Sequence, residues 1–107
     1  MTNQLTVPEI RRRAAELIEE RGWHQGDWTG ADGSICLNAA LLLAVHPQHN
    51  FVNPEWPDVT VAVHVAMVNE MTPRERAEYR DSLADWQDAP GRTVDEVLAV
   101  LLRGIEP

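Results

Sequence analysis

The residues best suited to chemistry in this 107-residue chain are Cys36, four histidines and a cluster around Trp86. A cysteine in the first turn of a helix has its thiolate stabilised by the free N–H groups there. With His64 or His24 as base, Cys36 is a candidate nucleophile for a small thiol-dependent enzyme. Against this, free cysteine is more often a small buried apolar residue, and no catalytic signature surrounds this one. His46 and His49 form a His-x-x-His pair that His24 or His64 could extend to a zinc set of three or four ligands. The pair straddles Pro47, with no acidic residue in the usual intervening place, so neither metal nor cofactor is expected. The glycines lack the spacing of a phosphate-binding loop.

The third group is Trp86, Asp88, Arg92 and Thr93. Asp88 can accept from turn N–H groups or pair with Arg92 while Trp86 packs beneath, which makes a latch; the same side chains, if open, make a binding site. Trp23 and Trp28 flank Gly26 in a stretch rich in Gly and Asp, and Trp56 lies in a proline-broken stretch over 46–57. Indoles in loops either tuck into the core edge or anchor a partner. Trp23, Trp28, Trp56, Trp86, Asp88 and Arg92 are therefore the candidate binding residues.

These residues must be positioned by helices. Ile35–Val45 is apolar on nearly every side, interrupted only by Asn38, so it belongs in the middle of a packed domain. Thr6-Val7-Pro8-Glu9 reads as a helix start, with Val7, Ile10, Ala14, Leu17 and Ile18 as one stripe and Gly22 as the stop. Asp32-Gly33-Ser34 supplies turn and cap residues for the central helix. The segment 58–68 alternates valines as a strand would, but a lone strand would have no partner, and a helix is expected. Thr72-Pro73-Arg74-Glu75 opens a further helix with Tyr79, Leu83 and Trp86 on one face. After the Ala89-Pro90-Gly91 turn, Thr93-Val94-Asp95-Glu96 caps the last, which carries Val97, Leu98, Leu101, Leu102 and Ile105. The expectation is an all-α fold: one domain over 1–107, a compact bundle of about five helices around a central apolar one.

A net charge of −8 argues against direct nucleic-acid binding, which needs concentrated positive charge. The nine basic residues are all arginine. Arg11-Arg12-Arg13 is the one basic cluster, and with Glu16, Glu19 and Glu20 following it reads as a solvated helix face. A single cysteine forms no internal disulfide, no secretory signal follows the first residues, and the apolar run is half a membrane span; a cytoplasmic location is expected.

Ser82 to Val97, containing Trp-x-Asp-x-x-Gly-Arg-Thr, together with Cys36-Leu37-Asn38-Ala39-Ala40-Leu41 and the opening helix ending in Gly22-Trp23, resembles a family of small acidic proteins from actinobacteria and their phages. That family is known as a domain of unknown function. The resemblance spans most of the chain in order and implies an all-helical fold, but no activity. Family members often carry Gly in place of Asn38 and Asn in place of Gln87, so the resemblance assigns neither side chain a role.

With no convincing catalytic set and plentiful loop aromatics, the first functional expectation is a non-enzymatic module that binds another protein near the Trp23/Trp28 loop and the 46–57 loop. An acidic surface that occupies a partner's nucleic-acid groove, as phage inhibitors do, is the second. The thiol- or metal-dependent enzyme is the third.

Overall fold

The structure, a computed structural model, describes residues 6–45, 67–69, 71–80 and 82–103. Within them lie α1 (Val7–Arg21), α2 (Leu37–Val45), α3 (Pro73–Glu78), α4 (Leu83–Gln87) and α5 (Val94–Leu102), and the fold is all-α. Trp56, His46, His49, His64, Ile105 and most of the 58–68 segment lie outside the described residues; 67–69, at its end, are helical.

The central rod is α2. Leu37, Ala39, Ala40, Leu41 and Leu42 are fully buried, and Leu43 and Ala44 nearly so, which leaves no solvent face. Its neighbours α1 and α4 pack against it, and α5 packs on α1. From α1 come Ile10, Ala14, Leu17 and Ile18, and from α5 Val97, Val100 and Leu101, each pointing its apolar stripe inward.

The ends of these helices follow from their capping residues. Thr6 accepts from Glu9 N–H at the start of α1, and Gly22, at φ 91°, ends it by donating to Ile18 O at 2.7 Å. A side chain is strained at that φ, which is why glycine sits there. Thr72 with Glu75, and Thr93 with Glu96, form complete capping boxes at α3 and α5.

Three expectations need correction. The central helix starts at Leu37, not at Ile35. Ile35 stays extended because its backbone pairs on both sides, with Gly22 O and His24 N–H on one and Thr29 on the other. Ser34 is turned onto Asp32 Oδ1 (2.6 Å) and caps nothing; Cys36 takes the capping position instead, accepting from Ala39 N–H on Sγ and from Ala40 N–H on its carbonyl. The helix opened by Thr72 is also two short ones. Arg80 adopts φ 52°, and the Ser82 hydroxyl re-caps the chain by accepting from Asp85 N–H at 3.1 Å. Serine offers a start signal wherever the preceding turn lets go.

The third correction concerns Arg11. The solvated reading holds for Arg13, which pairs with Glu16 and Glu20 at 3.9 and 3.5 Å while half exposed. Arg11 is 5% exposed. Its guanidinium crosses to the end of α5 and donates to the carbonyls of Val100, Leu101 and Arg103, all at 2.9 Å. It thereby supplies donors at a helix end where intrahelical partners run out; of the three carbonyls, Val100 O also accepts from Arg103 N–H at 3.4 Å.

Candidate functional site

The Trp23–Gly30 loop, the start of α2 and the end of α4 meet at one side chain, Gln87, which is 1% exposed. Its Oε1 accepts from the Trp23 indole N–H and from Leu37 N–H, the latter at 2.9 Å, and its Nε2 donates to Asp88 Oδ1 at 2.6 Å. Its backbone carbonyl and that of Ala89 accept from Gln25 Nε2 at 2.9 and 3.1 Å. Asp88 closes the circuit by accepting from Gly26 N–H at 2.9 Å. One amide on α4 thus joins a loop 64 residues away in the chain and the start of α2, 50 residues away.

The loop folds this way for local reasons. Asp27 accepts from Trp28 N–H, Trp28 O accepts from Cys36 N–H at 3.0 Å, and Gly30 N–H donates to Ser34 O at 2.9 Å. A Cβ on Gly30 would lie 2.5 Å from Ser34 Oγ and 2.9 Å from His24 Nδ1, so no other residue fits there without displacing them. The Ser34 hydroxyl and N–H bonds hold the Asp32 carboxyl below its ordinary pKa.

Beside Gln87 an open cavity of about 190 Å³ is lined by Gly26, Asp27 and Trp28 of the loop, Cys36 and Asn38 of α2, and Ala84, Gln87 and Asp88 of α4. Trp28 is half-buried against the core. Asn38 lines the cavity, and its Oδ1, buried, has no hydrogen-bond partner among the described residues. Such an atom forfeits a hydrogen bond it had in water, a cost of roughly 1–3 kcal/mol unless something supplies a donor.

The second cluster is a clasp. Arg92 lies over the Trp86 ring at 4.0 Å and the Tyr79 ring at 5.6 Å. Its guanidinium donates to Trp86 O and Glu96 Oε2 at 3.0 Å and to Tyr79 Oη at 3.3 Å. Trp86 is 2% exposed and its indole N–H donates to Glu75 Oε2 at 3.0 Å. Burial pushes the Glu75 carboxyl up, but bonds from Thr72 and Trp86 outweigh it and hold it below the ordinary value. Arg92 pairs with Glu96, while Asp88 serves the Trp loop, so the turn is latched through two separate contacts.

Of the candidate binding residues, Trp23, Trp28, Trp86, Asp88 and Arg92 therefore gather around the end of α4. Trp28 and Asp88 open on the cavity, Trp23 abuts it through Gln87, and Trp86 with Arg92 forms the packed clasp behind. Gln87 and Gln25 were not selected, though the first is the hub; a glutamine after a core tryptophan carries no periodic signal. Asn38 stood out as the one polar break in the apolar run.

The surroundings of Cys36 work against its activation as a nucleophile. Burial pushes its thiol pKa up, and the nearby Asp88 charge adds to this against the opposing backbone N–H groups of Ala39 and Asn38. No histidine lines its cavity among the described residues. Iodoacetamide should accordingly modify native Cys36 at pH 8 at least about tenfold more slowly than the urea-unfolded chain, followed by intact-protein mass spectrometry. Equal rates would show an open thiolate. Among the described residues no three His, Cys, Asp or Glu side chains converge as a metal set, and no helix is long and apolar enough to cross a membrane.

No curated protein and no solved structure matches the chain. Residues 2–107 match the model of a family of unknown function, DUF6197, and the chain belongs to that family.

Proposed function

We propose that the chain is a protein-binding module whose recognition surface is the face carrying the Trp28 loop and the end of α4. The cavity beside Gln87 carries this reading. Its walls come from three separate elements held in register by one buried amide, and rigid elements give a binding site its precision. Its volume, about 190 Å³, is below the roughly 300–1,000 Å³ of sites that enclose a whole small molecule, and suits a single protruding side chain. A half-buried indole on the wall supplies the aromatic anchor common at the centre of interfaces.

The acidic-groove reading fares less well on the same residues. Glu75 and Glu96 are turned onto their own helix starts, and Glu16 and Glu20 pair with Arg13. Carboxylates so engaged do not make an evenly spaced row of phosphate-like charge.

Ala84 is exposed and lines the cavity, so Ala84→Phe fills the mouth without touching the core. Immobilised wild-type chain should retain a specific partner from its native host that the Ala84→Phe chain, folded by circular dichroism, does not. Retention of the same proteins by both chains, or of nothing beyond what an unrelated acidic protein retains, would refute this reading.

A further inference from the structure

We infer that the side chain this cavity takes from a partner is an arginine, its guanidinium stacked on Trp28 and facing Asp27 and Asp88. This rests on the protein-binding reading and names the chemistry of the occupant.

The cavity wall offers acceptors. The donors that a helix start would present are already used: Leu37 N–H goes to Gln87 Oε1, Ala39 N–H to Cys36 Sγ, and Ala40 N–H to Cys36 O. Asn38 N–H, the remaining donor of this first turn, lies toward the Cys36 thiol, so the start of α2 is poorly placed to take an anion. Among the described residues no basic one lines the cavity, whereas Asp27 and Asp88 do. Each carboxylate has room for further bonds, because Asp27 Oδ1 is engaged by Trp28 N–H and Asp88 Oδ1 by Gly26 and Gln87, and an ionised carboxyl has about four acceptor sites. Asn38 also lines the cavity, and its Oδ1, without a partner among the described residues, is a further acceptor beside it. An occupant must then donate several hydrogen bonds and tolerate an indole face. A guanidinium does both: it is flat, stacks on aromatic rings and donates in a fork that matches carboxylates. An ammonium meets the charge but not the fork. The net charge of −8 draws such a partner toward the chain.

The test uses the full chain, labelled with ¹⁵N, and three capped tripeptides: acetyl-Ala-Arg-Ala-amide, its lysine analogue, and its citrulline analogue, which keeps the shape of arginine without charge. The arginine peptide should shift the Trp28 indole N–H resonance saturably, with Kd on the order of 1 mM. The citrulline and lysine peptides should bind at least about threefold more weakly. Asp27→Asn with Asp88→Asn keeps the Oδ1 acceptors that hold the loop and removes both charges; it should weaken the arginine peptide about tenfold. A Trp28 resonance unmoved at ~20 mM arginine peptide, or citrulline or lysine binding as tightly as arginine, would overturn the assignment. If that happens while Ala84→Phe still abolishes partner retention, the module reading stands and the arginine assignment alone falls. If the arginine peptide binds as stated but nothing is retained from the host, the module reading is what fails.

Discussion

Replacing Arg11 with methionine should destabilise the chain by about 3 kcal/mol, a large fraction of the roughly 5–15 kcal/mol by which a domain of this size is stable. The three carbonyls it serves, on Val100, Leu101 and Arg103, lie at the end of α5, where among the described residues only that of Val100 has a backbone donor, Arg103 N–H at a long 3.4 Å. Hydrogen bonds to a charged donor are worth about 1.5–3 kcal/mol each, but these three share one side chain and do not add. Methionine keeps most of the stem's packing, so the loss reports the guanidinium. At about 4 °C per kcal/mol for a chain near 100 residues, Tm should fall by about 12 °C in a calorimetric scan. Arg11→Lys should recover less than half, since a single ammonium cannot span three carbonyls held in a fork. Arg13→Met is the internal control: its pairs with Glu16 and Glu20 are half exposed and should be worth under about 0.5 kcal/mol. Equal losses for Arg11→Met and Arg13→Met would show that the buried geometry is not what stabilises α5.

The contrast between Arg11 and Arg13 explains much of what the sequence could and could not reveal. The fold was legible because it is encoded locally. Thr6, Thr72 and Thr93 each stand three residues before a glutamate, and the apolar run ending at Val45 has no polar side to expose. Arg11 was not legible, because its partners are carbonyls about ninety residues away and leave no pattern around it. The break between α3 and α4 was missed for a related reason: Tyr79, Leu83 and Trp86 do keep helical spacing, yet Arg80 and Ser82 interrupt the backbone between them. Tyr79 and Trp86 still share a side, and Arg92 rests on both rings. At the candidate site Trp28 and Asp88, two of the candidate binding residues, line the cavity. Gln87, which holds Asp88 and the start of α2, carries no such mark, because a buried amide reaching two distant N–H groups looks in sequence like any polar residue on a helix.

Gln87 accordingly makes the sharper prediction. Gln87→Leu keeps the approximate bulk and removes the acceptor, leaving the Trp23 indole N–H and the Leu37 N–H at the start of α2 without their partner. Each stranded donor costs about 1–3 kcal/mol, so a loss of about 3 kcal/mol is expected, with faster hydrogen exchange at Leu37 and a shifted Trp23 indole resonance. Gln87→Glu separates the acceptor from the donor. A carboxylate still accepts from Trp23 and Leu37, but it replaces the amide that donates to Asp88 Oδ1 at 2.6 Å with a second negative charge. Burial and the neighbouring Asp88 both raise the pKa of this new glutamate in the folded chain above its value of about 4.3 when unfolded. A raised folded pKa means stability that is present below about pH 4.3 and lost as pH rises through the folded value. Measured against wild type by urea melts, Gln87→Glu should therefore be nearly harmless at pH 4, where its protonated oxygen can donate to Asp88, and clearly destabilised at pH 7. Gln87→Leu has nothing to titrate, and its deficit at that position should be the same at both pH values. A pH-independent deficit in Gln87→Glu would mean that Asp88 does not face residue 87 closely enough to feel its charge, and the wall of the cavity would have to be drawn differently.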